Sequence, residues 1–140
     1  MSDVRATQAL GDLYKLFVNL VYESYPSNAD GTLVAAHAVA WNWGGWIEMI
    51  AVDTITEPFW LVGAKFPSET ASSKGLIEVG IGLAPLEVAK FSYPFVYLHE
   101  AAFILPIPIP VPANSRVVAR HANATGGNGK YLKVLIAKGL

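Results

Sequence analysis

Few side chains in this sequence could carry out chemistry, and their spacing does not group them. The histidines are His37, His99 and His121, and none has a partner at a spacing typical of metal ligands. His99 and Glu100 are adjacent, which in a strand places their side chains on opposite faces. The sequence therefore predicts no metal site and no bound cofactor.

A catalytic nucleophile is equally hard to find. The chain has no cysteine, so a thiol nucleophile and a thiolate metal site are excluded. No G-x-S-x-G motif occurs, and the serines fall in loop-like stretches such as Pro67–Gly75. Glu48 and Glu78 alternate with apolar neighbours, as Arg116 and Arg120 do, which is typical of the solvent face of a strand. We therefore expect a protein that is not an enzyme.

The stretch "WNWGGW" brings three tryptophans, Trp41, Trp43 and Trp46, close together. Trp41 and Trp43 are two residues apart and are expected to share one face of a strand. Three neighbouring indoles could form a stacking platform for sugars. The favoured interpretation is that these large apolar side chains fill a sandwich core or a subunit contact.

The composition points to assembly and away from several classes of partner. The 140 residues suit one domain; 53% are hydrophobic and 15% are charged, against about 25% charged in an average domain. Some apolar surface is therefore expected to be buried against other chains. A net charge of −1 without a basic block predicts no nucleic-acid partner. The sequence contains no apolar run of about 18 residues, so no membrane span is predicted. The stretch "MSDVRATQAL" lacks the features of a signal peptide, which predicts synthesis in a cytoplasm.

Short segments rich in β-branched and aromatic residues follow one another at roughly 8–12-residue spacing, separated by glycine and proline, which favours an all-β sandwich or barrel. The predicted strands are Gly31–Trp41, Gly45–Thr54, Glu57–Phe66, Gly75–Leu83, Leu86–Tyr93, Phe95–Phe103, Leu105–Pro112, Ser115–Ala122 and Lys130–Lys138. We expect residues 27–140 to form one antiparallel β-sandwich domain.

The segment before this domain, residues 1–26, has two possible structures. Apolar side chains from Leu10 to Tyr22 fall on one helical stripe, which favours a helix. However, "LFVNLVYESY" is rich in strand formers, which favours an N-terminal arm or first strand. The arm or strand is the preferred interpretation, and its apolar character predicts that it packs on its own domain or on a neighbour.

Prolines occupy alternate positions from Pro106 to Pro112 in "LPIPIPVP". In a strand, alternate residues point their N–H groups toward the same lateral edge, so these prolines remove the donors along that edge. If the strand were central, the carbonyls of its neighbour on that side would lack donors. The pattern therefore predicts an edge strand, with Ile107, Ile109 and Val111 buried. The prolines would block further strand pairing within a monomer or, in the preferred interpretation, lie at a subunit interface.

Three stretches, Gly44–Phe66, Gly75–Phe91 and Leu105–Arg120, together resemble a family of small β-sandwich virion proteins of tailed bacteriophages. The similarity extends over roughly residues 31–138. It implies a jelly-roll-like sandwich that serves as a head decoration (cement) protein. Such a protein is made in the host cytoplasm and resides in the virion, where it forms homotrimers and contacts the major capsid protein. An N-terminal arm is expected to engage neighbouring subunits.

The alternative is a tail, baseplate or fibre module on the same sandwich, which could bind a host glycan through its tryptophans. Both hypotheses place function in surfaces and neither in a catalytic centre. The candidate interface residues are Phe17, Val21, Trp41, Trp43, Trp46, Pro106, Pro108 and Pro110.

Overall fold

The computed structural model describes residues 21–67, 74–95 and 102–139, and within these ranges it contains nine β-strands and no helix. The strands are β1 (Val21–Tyr25), β2 (Thr32–Ala35), β3 (Ile47–Ile50), β4 (Phe59–Lys65), β5 (Gly75–Ile81), β6 (Val88–Phe95), β7 (Ala102–Val111), β8 (Val117–Asn123) and β9 (Gly129–Lys138). The predicted all-β class is confirmed.

The strands form two antiparallel sheets that pack against each other. Sheet I has five strands in the order β1–β9–β4–β7, and β2 also pairs with β9. Sheet II has four strands in the order β3–β8–β5–β6. Because β2 pairs with residues 129–132 of β9 and β1 pairs with residues 134–138, β1 and β2 together act as one interrupted edge strand.

The connections give a jelly-roll topology. From β2 to β5 the chain crosses between the sheets at every step, and it does so again from β6 to β9. The last strand, β9, lies beside the first, so early and late parts of the chain close the structure together. Two sheets joined in this way form the double-sheet jelly roll that the sequence resemblance implies.

The core lies between the sheets and is built from alternate residues of each strand. Its largest fully buried apolar side chains are Phe59, Phe66, Ile50, Leu61, Ile77, Leu132, Ile136, Val34, Val79 and Val111. At one margin Tyr93 of β6 stacks on Phe103 of β7, with ring centroids 4.3 Å apart and planes 9° apart. This contact joins the outermost strand of sheet II to that of sheet I.

β7 carries the proline run and lies at the edge of sheet I, as predicted. Among the described residues it pairs with β4 alone, and Pro110 is opposite Trp60. Since proline has no N–H, the ladder bonds around this pair come from Ile109 and Val111, which leaves Pro110 facing outward along the edge. The donor that Pro110 lacks therefore faces away from β4.

The prediction that Ile107 is buried is wrong. Val111 is buried and Ile109 packs against the core, but Ile107 is 78% exposed. The register explains the difference: Leu61 is opposite Ile109, whereas Gly63 is already opposite Ile104. The intervening residues of β7 form a bulge, and a bulge breaks the alternation of side chains that the prediction assumed.

Several predicted strand boundaries also change, and the predicted strand Gly45–Thr54 is reduced to Ile47–Ile50. Gly31–Trp41 was expected to be one strand, but the strand ends at Ala35. Residues 102–111 form one continuous strand where two, Phe95–Phe103 and Leu105–Pro112, were expected. Of the N-terminal segment, Val21–Tyr25 form a strand, while Phe17 and the rest of the helical stripe before residue 21 lie outside the described residues.

The bulge makes Gly63 a sensitive position. A Cβ atom at Gly63 would lie 2.0 Å from the carbonyl oxygen of Phe103, and backbone cannot move as cheaply as a side chain. We expect Gly63→Ala to lower the free energy of unfolding by about 2 kcal/mol or more, measured by chemical denaturation. The matched control is Gly45→Ala, where a Cβ would meet nothing within 4 Å and a change within about 0.5 kcal/mol is expected. Equal effects of the two substitutions would contradict the close approach of β7 to β4.

Candidate functional site

The tryptophans do not share a strand face, contrary to the prediction. Trp41 and Trp43 lie in the loop between β2 and β3, and Trp46 immediately precedes β3. The loop is fastened to β8 by backbone bonds: the Trp41 N–H donates to the Asn123 carbonyl at 2.7 Å, and the Gly44 N–H donates to the His121 carbonyl at 2.9 Å. The loop thus continues the edge of sheet II beyond β3.

Trp41 has an unusual backbone conformation. Its φ angle is 62°, in the left-handed region that bulky residues rarely adopt, and its side chain is 51% exposed. The sequence gives no signal for this conformation, because glycine, asparagine or aspartate would be expected there. The hydrogen bond to Asn123 holds the residue in place and displays the indole to solvent.

Trp43 and Trp46 instead pack around one cation. The guanidinium carbon of Arg120 lies 4.7 Å from the Trp43 ring centroid and 4.3 Å from that of Trp46. Arg120 also pairs with the carboxylate of Glu78, its Nε donating at 2.7 Å. Trp46 reaches over Gly80, where a Cβ would come within 3.1 Å of its ring. These two tryptophans therefore cover sheet II and hold a charged pair.

The outer face of sheet II carries a second internal ion pair. Arg116 donates from Nε to Glu48 at 2.9 Å, and its Nη1 lies 3.4 Å from a carboxylate oxygen of Glu87. Arg116 and Arg120, predicted to face solvent, do lie on the outer face, but each is paired within the chain. Both arginines on this face are therefore neutralised within the chain.

Sheet I differs, because its outer face carries an apolar groove. A shallow groove of about 320 Å³ crosses it, with Val62, Ile104 and Leu135 among its lining residues. Tyr22 and Ile104 at its sides are 64% and 61% exposed. The full lining is Tyr22, Glu23, Ser24, Val62, Ile104, Leu135 and Ile136. Antiparallel sheets commonly present polar residues to water on their free face, so an apolar groove here suits contact with another protein surface.

The charged residue of the groove, Glu23, is neutralised locally. The Tyr25 hydroxyl donates to Glu23 Oε2 at 2.7 Å, and Lys138 Nζ lies 3.2 Å from Oε1. The Tyr25 hydrogen bond and the Lys138 charge hold the pKa of Glu23 below its ordinary value, and the carboxylate raises the pKa of Tyr25 to about 12. A partner could cover the groove without isolating a charge.

A third feature is an exposed apolar loop that sequence reasoning missed. Leu83 and Leu86, in the turn between β5 and β6, are both exposed, and Leu86 is 78% exposed. The sequence analysis assigned them to the ends of two predicted strands, Gly75–Leu83 and Leu86–Tyr93. The sequence signal for a turn here is Gly82 followed by Pro85, with Leu83 before and Leu86 after the proline. The apolar side chains of such a turn lie outside the sandwich and cannot pack in its core.

Buried polar residues lie at one end of the core. His121, Asn123 and Lys130 are all fully or nearly fully buried. His121 Nδ1 is 3.2 Å from the Val34 carbonyl oxygen, to which it donates. Burial lowers the pKa of His121 to about 4, against the smaller opposing effect of the Val34 carbonyl, and burial also lowers the pKa of Lys130. These side chains are buried in the interior and do not line the groove.

The remaining candidates for chemistry do not converge. Within residues 21–67, 74–95 and 102–139, no group of three or more histidine, cysteine, aspartate or glutamate side chains could hold a metal ion. His37 accepts the Val39 N–H at 2.9 Å through Nδ1, and His99 lies outside these ranges. The same residues contain no helix long and apolar enough to cross a membrane.

The candidate interface residues predicted from sequence are scattered over the surface. Val21 and Trp41 are exposed, Trp43 and Trp46 are half-buried, and they lie on different sides of the molecule. Pro106, Pro108 and Pro110 are exposed on the β7 edge. Their role as an interface stays a prediction, and the groove on sheet I adds Tyr22, Val62 and Ile104 to the candidates.

The stacked cation predicts a specific loss of stability. Arg120→Met keeps much of the side-chain volume but removes the charge from two indoles and leaves Glu78 half-buried without its partner. We expect the free energy of unfolding to fall by about 1–3 kcal/mol in urea denaturation. Lys90→Met, on the exposed part of β6, is the control and should change it by less than about 0.5 kcal/mol. Matching losses for the two variants would show that the stack stabilises nothing.

Burial of His121 predicts a pH dependence. Its pKa in the folded chain, about 4, is below the ordinary value of 6.5, so the unfolded chain takes up the proton first. Stability from neutral His121 is fully present above pH 6.5 and is lost as the pH falls toward 4, by up to about 3 kcal/mol. His121→Asn, which can still donate to Val34, should show a flatter profile over this interval. If the wild-type chain and His121→Asn lost the same stability as the pH falls, the lowered pKa of His121 would be contradicted.

Comparisons of this chain with protein-family models, with curated proteins and with solved structures give no match. The described residues therefore present two exposed apolar features, the groove on sheet I and the loop that carries Leu83 and Leu86, while the arginines on the outer face of sheet II are paired within the chain.

Proposed function

We propose that this chain is a non-enzymatic structural protein of a tailed-phage virion, most specifically a head decoration protein. In this proposal it forms a homotrimer, binds the assembled major capsid protein and stabilises the head. The observation that supports it best is the exposed apolar groove on sheet I, lined by Tyr22, Val62 and Ile104. The resemblance of the sequence to small β-sandwich virion proteins supplies the virion context.

The proposed mechanism is stabilisation by mass action. A protein that binds the assembled shell and not its separated subunits shifts the equilibrium toward the shell by an amount set by its concentration and affinity. Burial of apolar surface would supply the affinity, at about 25 cal/mol per Å² before the costs of association. A jelly roll with an apolar groove on its outer face suits this role, since no moving part is needed.

The tail or baseplate module that binds a host glycan is the second candidate. It is favoured by the exposed, conformationally strained Trp41. Trp43 and Trp46 suit it less well, because Arg120 already lies over their rings. A glycan array with Trp41→Ala as the comparison separates the candidates, since specific binding that this variant loses would favour the tail module.

Two measurements test the head decoration proposal. Light scattering after size exclusion should give the mass of three chains, and the protein should co-sediment with empty heads of its cognate capsid protein. Tyr22→Asp places a charge beside the apolar groove on an exposed side chain, so it should weaken assembly at least about tenfold without lowering the melting temperature.

The matched control is Val39→Asp, an exposed apolar residue in the β2–β3 loop, which should assemble and bind heads normally. A monomeric wild-type protein that also fails to bind heads would overturn the proposal. Loss of assembly in Val39→Asp but not in Tyr22→Asp would move the interface from sheet I to the tryptophan loop.

A further inference from the structure

The strand β1 forms one side of the apolar groove on sheet I, and the chain enters this strand at Val21. Three residues of β1, Tyr22–Ser24, line the groove, which continues across sheet I to Ile104 of β7. The residues before Val21 lie outside the described ranges, but the last of them, Leu20, is only two positions from the groove in the sequence. Residues 1–20 are therefore attached to the groove at its side.

The adjoining sequence matches the groove in polarity. Residues 16–20, "LFVNL", carry no charge, and only Asn19 among them is polar. The groove presents no unpaired charge to such a segment, because Glu23 is paired with Lys138 at 3.2 Å. An apolar segment can therefore cover the groove without burying an isolated charge, which is the costly case.

The segment is long enough to cross the groove. Ile104 is opposite Gly63, which is opposite Leu135, which is opposite Ser24, so Ile104 lies three residues along β1 from Val21. With strands about 4.8 Å apart and a rise of about 3.3 Å per residue, the separation is about 14 Å across and 10 Å along the sheet, or about 17 Å in all.

An extended chain covers this separation in about five residues, which places Leu16 near Ile104. The remaining residues of the segment allow the chain to reverse its direction before it crosses. The length of chain before Val21 therefore does not prevent contact with any part of the groove.

Attachment favours the segment of the same chain over the segment of a second copy. A ligand joined to its site by a short linker has an effective concentration on the order of millimolar. A second copy present at a micromolar concentration, making the same contacts, is therefore at a disadvantage of about a thousandfold. The groove is filled first by the chain to which it belongs.

From the path of the chain and the chemistry of the groove we infer that residues 10–20 dock in the apolar groove of their own sheet I. This differs from the expectation that an N-terminal arm engages neighbouring subunits. The inference goes beyond the proposed function, because it concerns the isolated chain, and it implies that a partner that uses the groove must displace the segment.

Disulfide cross-linking in the full chain tests the inference, and the absence of native cysteine makes the result simple to read. Leu16→Cys is paired with Ile104→Cys for a direct crossing, and Leu13→Cys with Ile104→Cys for a crossing that follows a reversal. At micromolar protein and with oxidised glutathione, at least one pair should form a disulfide within one chain, seen as a faster-migrating monomer on a non-reducing gel.

The matched control combines the same segment cysteine with Ile107→Cys, which lies on β7 but outside the groove and has an exposed side chain. This pair should cross-link at least about tenfold more slowly, because a docked segment holds its thiol away from it. The inference is overturned if both folded Ile104 pairs form no disulfide, if they cross-link only between chains, or if the control reacts equally fast.

Proteolysis gives a second measurement that needs no cysteine. Trypsin cleaves after Lys15, which lies inside the segment, and a docked segment is protected from cleavage. Ile104→Asp changes an exposed side chain of the groove, so it should keep the melting temperature and raise the rate of this cleavage at least about tenfold, read by mass spectrometry. Ile107→Asp should be cleaved at the wild-type rate, and equal cleavage of wild type and Ile104→Asp would contradict the docking.

Head binding reports on the proposed function separately. A chain that cross-links within itself but does not bind heads would keep the docked segment and contradict the decoration role. A chain that binds heads but shows neither the cross-link nor the protection of Lys15 would do the reverse.

Discussion

The close packing of β4 between β7 and β9 is the constraint on which the outer surfaces of the sandwich depend. Val62 has no opposite residue in the pairing of β4 with β7 or in the pairing of β4 with β9. β4 therefore has one extra residue opposite β9, at the point where β7 bulges away. Gly63 permits this approach because it has no Cβ to meet the Phe103 carbonyl. The bulge turns Val62 toward the outer face and lifts Ile107 off the core. The apolar groove and the irregular edge of sheet I therefore have one common origin.

The outer faces of sheet I and sheet II differ in the charge and polarity of their side chains. On sheet II the arginines Arg116 and Arg120 are tied to carboxylates of the same chain, and two tryptophans cover one of them. On sheet I the exposed side chains around the groove are apolar, and its one carboxylate is paired. Both arginines on sheet II are therefore neutralised by carboxylates of the same sheet or of its connecting loop. The apolar groove on sheet I contrasts with this charged surface.

Periodicity predicted the fold class and the place of the proline strand, because both follow from local alternation and from the direction of backbone donors. It could not predict the exposure of Ile107, since the bulge depends on how β7 registers with β4, forty residues away or more in the sequence. The tryptophan loop was misassigned for a similar reason: Trp41 is held in the left-handed region by Asn123, a distant residue. The groove gathers side chains from β1, β4, β7 and β9, so no local pattern contains it.

The outward side of β7 at Pro110 has a consequence for what can approach it. Pro110 keeps its carbonyl oxygen but has no N–H, so the edge at this position accepts a hydrogen bond and cannot donate one. Two such edges have nothing to exchange with each other, whichever way they are oriented. A molecule that binds here must bring donors of its own, as arginine and lysine side chains or water do, and an incoming strand that needs reciprocal bonds is at a disadvantage. The edge is thus selective by polarity, independently of shape.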